Sequence, residues 1–341
     1  MSQRKKYTRR NVLFATGLAA AGAGVFATVH KFRRGILSAL GSGSSLGKEF
    51  RYDMSGLTKI DPTLIAFDCI SKFQLDMVKP RGLAVDAEDH IYVGGPDAVS
   101  VFSQQGRKLS HVALKGRPTC LAVGADGRLY VGMVEHVEVY STVGKLAARW
   151  PGLGDGSLIT SIAISAENVA VADYCKGVVL CFDSAGRKIR VLGAKDGDFA
   201  FEVPSPYFDI AFAPDGMLRV VNPGKLRIEA WMLDGNREFH WGADGEGVAG
   251  FVGCCNPVHL AVLPDGRIVT SEKGIQRLKI FKADRGFGQN GQLDCVVANP
   301  NDFAMGTPLE VAGDSAGRVI VLEPDAKIVH VFAPKEKVAG V

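Results

Sequence analysis

A short motif that returns along the chain constrains the fold more than any other feature. An apolar-Ala-apolar triplet occurs as Leu83-Ala84-Val85, Leu121-Ala122-Val123, Ile162-Ala163-Ile164, Ile210-Ala211-Phe212 and Leu260-Ala261-Val262. Val311-Ala312 is a degenerate sixth copy, and the alanines are spaced 38, 41, 48, 50 and 51 residues apart. Turn sequences follow the triplets, as in Ala125-Asp126-Gly127-Arg128, Pro214-Asp215-Gly216-Met217 and Pro264-Asp265-Gly266-Arg267. Asp-Gly between two apolar runs is a hairpin signal, because glycine accepts the positive φ of a tight turn. Each turn leads to a second apolar run, such as Ile91-Tyr92-Val93 or Val319-Ile320-Val321, and then to a third, such as Val99 to Phe102 or Ile328 to Phe332. A further turn introduces a more variable fourth strand. Self-similarity at this period predicts stacked units, each too small to bury its faces alone. Six four-stranded units make an all-β, six-bladed β-propeller, in which closing the ring protects the sheet edges. The sixth unit ends at its third strand, so Leu64 to Val78 is expected to supply the missing outer strand.

The repeated pattern Pro-x-x-apolar-Ala-apolar, Asp-Gly-Arg-apolar-Tyr-Val, apolar-x-Val-Phe and Gly-Lys resembles the NHL-repeat family over about residues 80–334. The resemblance implies the six-bladed fold. It also implies a choice of roles, since that family includes protein- and RNA-binding propellers. Similar six-bladed rings include metal-dependent lactonases and an amidating lyase that holds zinc with histidines.

Residues 1–34 have a different composition. Eight of the forty Lys and Arg lie there with no acid, leaving 32 basic against 36 acidic residues in the remainder, a net of −4. A mildly acidic body argues against general nucleic-acid binding. The basic start precedes an apolar run from Val12 to Val29, the order of an export signal. Thr8-Arg9-Arg10-Asn11-Val12-Leu13 resembles the twin-arginine signal, with Val12 where phenylalanine is usual. The expectation is a twin-arginine-type signal peptide, or an uncleaved anchor, and a periplasmic or extracytoplasmic body that meets the membrane only through this segment. Residues 35–61, with Gly41-Ser42-Gly43-Ser44-Ser45, are a flexible linker by composition. The propeller is expected over 62–341.

Aligning the units yields two columns near one channel mouth. The residues before the triplets are Gly82, Cys120, Ser161, Asp209, His259 and Glu310. The residues after the second strands are Gly95, Met133, Asp173, Asn222, Glu272 and Glu323. Two roles compete for them, scaffold and site. As a site, Asp173, Asp209, Asn222, His259, Glu272, Lys273 and Glu310 are the candidate ligand-binding residues. Glu272-Lys273 is either an ion pair or an anion-binding, acid–base pair aimed over the channel.

Cys254-Cys255 falls at the same mouth, and Cys175 lies in the matching loop of the third unit. Three readings compete here: a vicinal disulfide, a divalent metal or cofactor held by the thiolates with His259 or Cys175, and two ordinary thiols. Seven cysteines leave at least one unpaired within the chain. Cys181, Cys69 and Cys295 fall at packing positions. No Cys-x-x-Cys-His or Walker loop occurs, and His90, His111, His136, His240 and His330 show no ligand spacing.

Three functions are therefore open. The first is an exported binding or scaffold module that takes a protein or small ligand on the face of units four to six. The second is a metal- or redox-linked protein centred on Cys254, Cys255 and His259, with an extracytoplasmic electron-transfer complex as partner. The third is a metal-dependent, lactonase-like hydrolase using the carboxylates.

Overall fold

In a computed structural model of the chain, residues 55–194, 196–282 and 291–336 are described. The signal and most of the linker lie outside them. Among the described residues, twenty-four strands form six four-stranded antiparallel sheets. The first four complete sheets are β2 (Leu83–Val85) to β5 (Lys108–Ala113), β6 (Cys120–Val123) to β9 (Leu146–Arg149), β10 (Ile159–Ile164) to β13 (Lys188–Leu192), and β14 (Ile210–Phe212) to β17 (Arg237–Trp241). Blade five runs from β18 (His259–Val262) to β21 (Leu293–Val296). Blade six contains β22 (Glu310–Gly313), β23 (Val319–Glu323) and β24 (Ile328–Pro334).

The missing strand of blade six is β1 (Phe67–Gln74), which pairs antiparallel with β24 from Phe67↔Pro334 to Gln74↔Ile328. The start of the propeller thereby seals its end. The triplet strands β2, β6, β10, β14, β18 and β22 touch in that cyclic order, and β22 returns to β2. They are the inner wall of the ring.

Local chemistry sets the blade shape. In the first hairpins of blades two, four and five, Gly127, Gly216 and Gly266 hold φ of 75°, 81° and 86°, a region where a side chain is strained. Asp126 and Asp265 accept the backbone N–H two residues on and the Nε–H of Arg128 and Arg267. The Asp-Gly-Arg repeat is thus a self-capped turn. Between blades, alternate faces meet in apolar seams. Val99, Leu121 and Val131 pack between blades one and two, and Ile91, Phe102, Ile320 and Val329 between blades six and one. Trp231, Trp241 and Phe281 fill the large seam of blades three to five.

Cys181 and Cys295 are buried as packing residues, whereas Cys69 is exposed on β1. Cys295 also lies on an outermost strand, β21, but packs into the seam of blades five and six with Phe67 and Phe332. Among the described residues, no helix is long and apolar enough to cross a membrane.

Candidate functional site

The first column forms a ring. Gly82, Cys120, Ser161, Asp209, His259 and Glu310 all line one cavity of about 800 Å³, whose apolar wall is the inner strands. Five of the six stand at or just before the start of an inner strand, and Ser161 is the third residue of β10. Repeat registry therefore places one residue per blade around the channel mouth, with a side chain from every blade but the first.

Asp209 organises the cluster. Its Oδ1 accepts from Ser161 Oγ at 2.5 Å and from the Ile210 N–H at 2.9 Å. Its Oδ2 accepts from the Leu260 N–H at 3.0 Å and from His259 Nδ1 at 3.2 Å. A carboxylate only accepts, so Nδ1 carries the proton in this pair. That bond leaves Nε2 as the imidazole's other polar edge. Tyr207 packs edge-on against the ring, with centroids 5.6 Å apart. Burial pushes the His259 pKa down, but the bond to Asp209 and the charges of Asp209 and Glu310 outweigh it, and the net shift is upward.

Glu310 accepts the Gly82 N–H, at 2.9 Å to Oε2 and 3.2 Å to Oε1. Burial raises its carboxyl above the usual range, although His259, the Gly82 N–H and Arg81 oppose the shift. Burial also raises the Cys120 thiol to about 12, so it is an inert wall residue. The basic side chains of Lys79, Arg81, Arg117 and Lys327 line this cavity as well, alongside a further carboxylate, Asp325. Arg81 acts electrostatically on both His259 and Glu310, and no carboxylate pairs with its guanidinium among the described residues. A histidine held in the charge-favouring orientation and an unpaired guanidinium share one cavity, an arrangement that favours an oxyanion.

The second column sits elsewhere. Asp173, Asn222 and Glu272 are fully buried, Glu323 nearly so, and none lines the channel cavity. Each turns back to hold the loop that enters its own blade. Asp173 accepts the Leu158 N–H, Asn222 the Glu202 N–H, Glu272 the Val252 N–H and Glu323 the Ala304 N–H. The repeated clamp satisfies loop amides that burial would otherwise leave unpaired. Glu272 is also bonded to Arg277 at 3.0 Å and Lys279 at 2.9 Å, both buried. The expectation of an acid–base Glu272 over the channel is corrected: it is a structural anion. Lys279 lies 4.1 Å from the Phe251 ring centroid. Burial lowers the Lys279 pKa to about 8, despite Glu272.

Lys273 also faces away from the channel cavity. It lines a second cavity of about 490 Å³ with Cys254, Cys255, Asn256, Tyr207 and Thr307. Lys273 Nζ donates to Ser205 Oγ at 2.9 Å. The Cys254 and Cys255 sulfurs stand 3.3 Å apart as free thiols, not as the vicinal disulfide. No three of Cys175, Cys254, Cys255 and His259 bring their ligating atoms within 4.8 Å of one another, so these four side chains do not converge on one point. His259 is committed to Asp209 in the channel, and Cys175 is exposed on blade three. Among the described residues, Asp86, Glu88 and His90 do cluster, but Asp86 Oδ1 is there to cap a turn, accepting the N–H groups of Glu88 and His90.

Two residues of the site carry no repeat signature: Arg81 and Tyr207. The only hint is their neighbourhood, Lys79-Pro80-Arg81 before the first triplet and Pro206-Tyr207 before the fourth. Tyr207, Thr307 and Pro308 line both cavities, which are therefore neighbours.

No protein-family model matches the sequence, and no curated protein matches it. Many solved structures share the architecture. The virginiamycin B lyase from Staphylococcus aureus is 9% identical with a TM-score of 0.55, and the match covers 79% of this chain and all of the lyase. The WD40 β-propeller domain of Doa1 is 15% identical, with a TM-score of 0.53 and coverage of 75% and 79%. A structural genomics protein of unknown function from Bacteroides thetaiotaomicron is 16% identical, with a TM-score of 0.55 and coverage of 79% and 76%. These likenesses establish the propeller fold, and fold alone does not assign chemistry.

Proposed function

We propose that this protein is an exported binding propeller that holds a small oxyanion, a carboxylate or phosphate ester, at its channel mouth. Blade five supplies His259, oriented by Asp209 of blade four, and blade one supplies Arg81, next to the Gly82 N–H that Glu310 of blade six holds. The observation that carries the reading is the pairing of an Asp209-oriented His259 with an unpaired Arg81 in one cavity of about 800 Å³. A buried anion needs such partners, because desolvation of an unpaired charge is costly. The extracytoplasmic location rests on the twin-arginine-like start of the chain.

Isothermal titration of the purified chain with citrate and inorganic phosphate tests the reading. At least one should bind to the wild type, with affinity falling about tenfold or more in Arg81→Met and His259→Ala, the scale of a lost charge-assisted contact of about 1.5–3 kcal/mol. Wild-type binding that both variants leave unchanged would place the anion elsewhere, and no binding of either probe would refute the oxyanion assignment.

A second reading has its own observation. His259 and Glu310 both hold protons more tightly than usual inside one cavity, as acid–base catalysis requires. In that reading the bound oxyanion is a substrate and His259 moves its proton. The lyase named among the structural neighbours is that protein's own activity. Turnover of a bound ester or lactone that persists undiminished in both His259→Ala and Glu310→Gln would exclude this reading.

A further inference from the structure

The second cavity has chemistry that anion binding does not use. Cys254 is exposed, while Cys255 is buried. Their sulfurs are in contact at 3.3 Å. Asn256 fixes the loop around them: its Nδ2 donates to Val252 O at 2.7 Å and to Lys273 O at 3.2 Å, and its Oδ1 accepts the Lys273 N–H at 2.9 Å. Asn256 is itself buried. The same stitching holds the Lys273 ammonium at Ser205 Oγ, 5.8 Å from the Tyr207 ring centroid. One thiol is thus open to a reagent and the other is held behind it beside a cation.

We propose that Cys254-Cys255 is a thiol–disulfide exchange site whose substrate is the disulfide of a small thiol compound, with Cys254 as the attacking sulfur and Cys255 as the resolving one. Cys254 loses its proton to solvent and attacks one sulfur of the substrate RS–SR. A Cys254–SR bond forms, the substrate S–S bond breaks, and RS⁻ leaves and is protonated. The Cys255 thiolate then attacks the Cys254 sulfur, forms the Cys254–Cys255 bond and expels the second RS⁻. Two electrons pass from the cysteine pair to the substrate, and both thiol protons are matched by the two RSH released. The resolving step begins from sulfurs already at contact distance, as near-attack geometry requires. The cavity of about 490 Å³ admits one end of a small disulfide.

The electrostatics agree with this division of labour. Burial acts to raise the Cys255 pKa, but Lys273, Cys254 and Ser205 outweigh it and the net shift is downward. A thiolate is the competent nucleophile in exchange. Lys273 is the charged group facing Cys255 in this cavity, and Cys254 and Tyr207 are the other titratable ones. Lys273 acts through Cys255 and is a positioning residue.

The test uses the folded, reduced full chain with oxidised glutathione, followed by acid quenching, alkylation and peptide mapping. The wild type should form the Cys254–Cys255 disulfide with no lasting glutathione adduct at either position. Cys255→Ser should accumulate the adduct on Cys254, and Cys254→Ser should be modified at Cys255 at least about tenfold more slowly, because the remaining sulfur is buried. Lys273→Met should move the pH midpoint of the resolving step upward, and Lys273→Arg should restore it. Exposed Cys69 and Cys175 are internal controls in every sample. A wild type in which these two are modified while Cys254 and Cys255 both remain alkylatable would overturn the proposal, as would a stable wild-type adduct at Cys254 that never resolves. The wild-type outcomes decide the matter even if a variant fails to fold.

Discussion

Glu272 shows how one residue type at one repeat position serves different ends. On sequence it stands in a column whose last four members are Asp173, Asn222, Glu272 and Glu323, and it invites an acid–base reading. In the fold its side chain is fully buried between Arg277, Lys279 and the Val252 N–H. Removing one partner of a buried charge network leaves the others uncompensated, a cost of about 3–5 kcal/mol. Glu272→Ala should therefore lower the denaturant midpoint by a corresponding amount and leave the channel geometry intact. Lys279 makes a pH-dependent claim. Its ordinary value of 10.5 falls to about 8 in the fold, chiefly through burial. The unfolded chain binds more protons between those values, so stability should rise as pH increases from about 8 towards 10.5. Lys279→Met should flatten that rise in chemical denaturation measured across the range. The opposite sign holds at His259, whose folded pKa is raised. Its contribution is complete below its ordinary 6.5 and is lost as pH climbs through the higher folded value.

Strands and turns were the most legible part of the sequence, because the physics there is local. Asp-Gly-Arg needs only its own side chains to cap its turn, and the triplets mark every inner strand. The strap was legible too, through arithmetic: a sixth unit with three strands needs a fourth, and β1 provides it. Phe67 anchors that strap, 3% exposed within the seam of blades five and six. Phe67→Ala should cost about 3–5 kcal/mol and expose β24 as an open edge, which invites association. Equilibrium unfolding and light scattering would register the two effects separately. The second column was not legible, because loop clamps and channel ligands call for the same acceptor side chains. Only the direction in which a strand-end side chain turns separates them, and that depends on where loops such as 242–258 pass. The cysteine pair was legible as unusual, but its partner Lys273 was aimed at the wrong cavity, since Ser205 and Asn256 capture it from distant parts of the chain.

At the scale of the whole molecule, ring closure turns sequence columns into a single site. Asp209, His259, Glu310 and Arg81 come from four blades and meet only because six inner strands converge on one axis. The two cavities share Tyr207, Thr307 and Pro308 as lining, which puts the proposed anion and thiol chemistry on one face of the ring. The central claim is that His259 is the cationic ligand of the channel mouth. Histidine NMR across a pH titration, without and with citrate or phosphate, addresses it directly, because His330 is a built-in reference: buried beside Glu323, it has a pKa lowered mainly by burial. The account requires His259 to titrate above 6.5, His330 below it, and added anion to raise the His259 midpoint alone. A His259 midpoint at or below 6.5 that neither anion moves would contradict it.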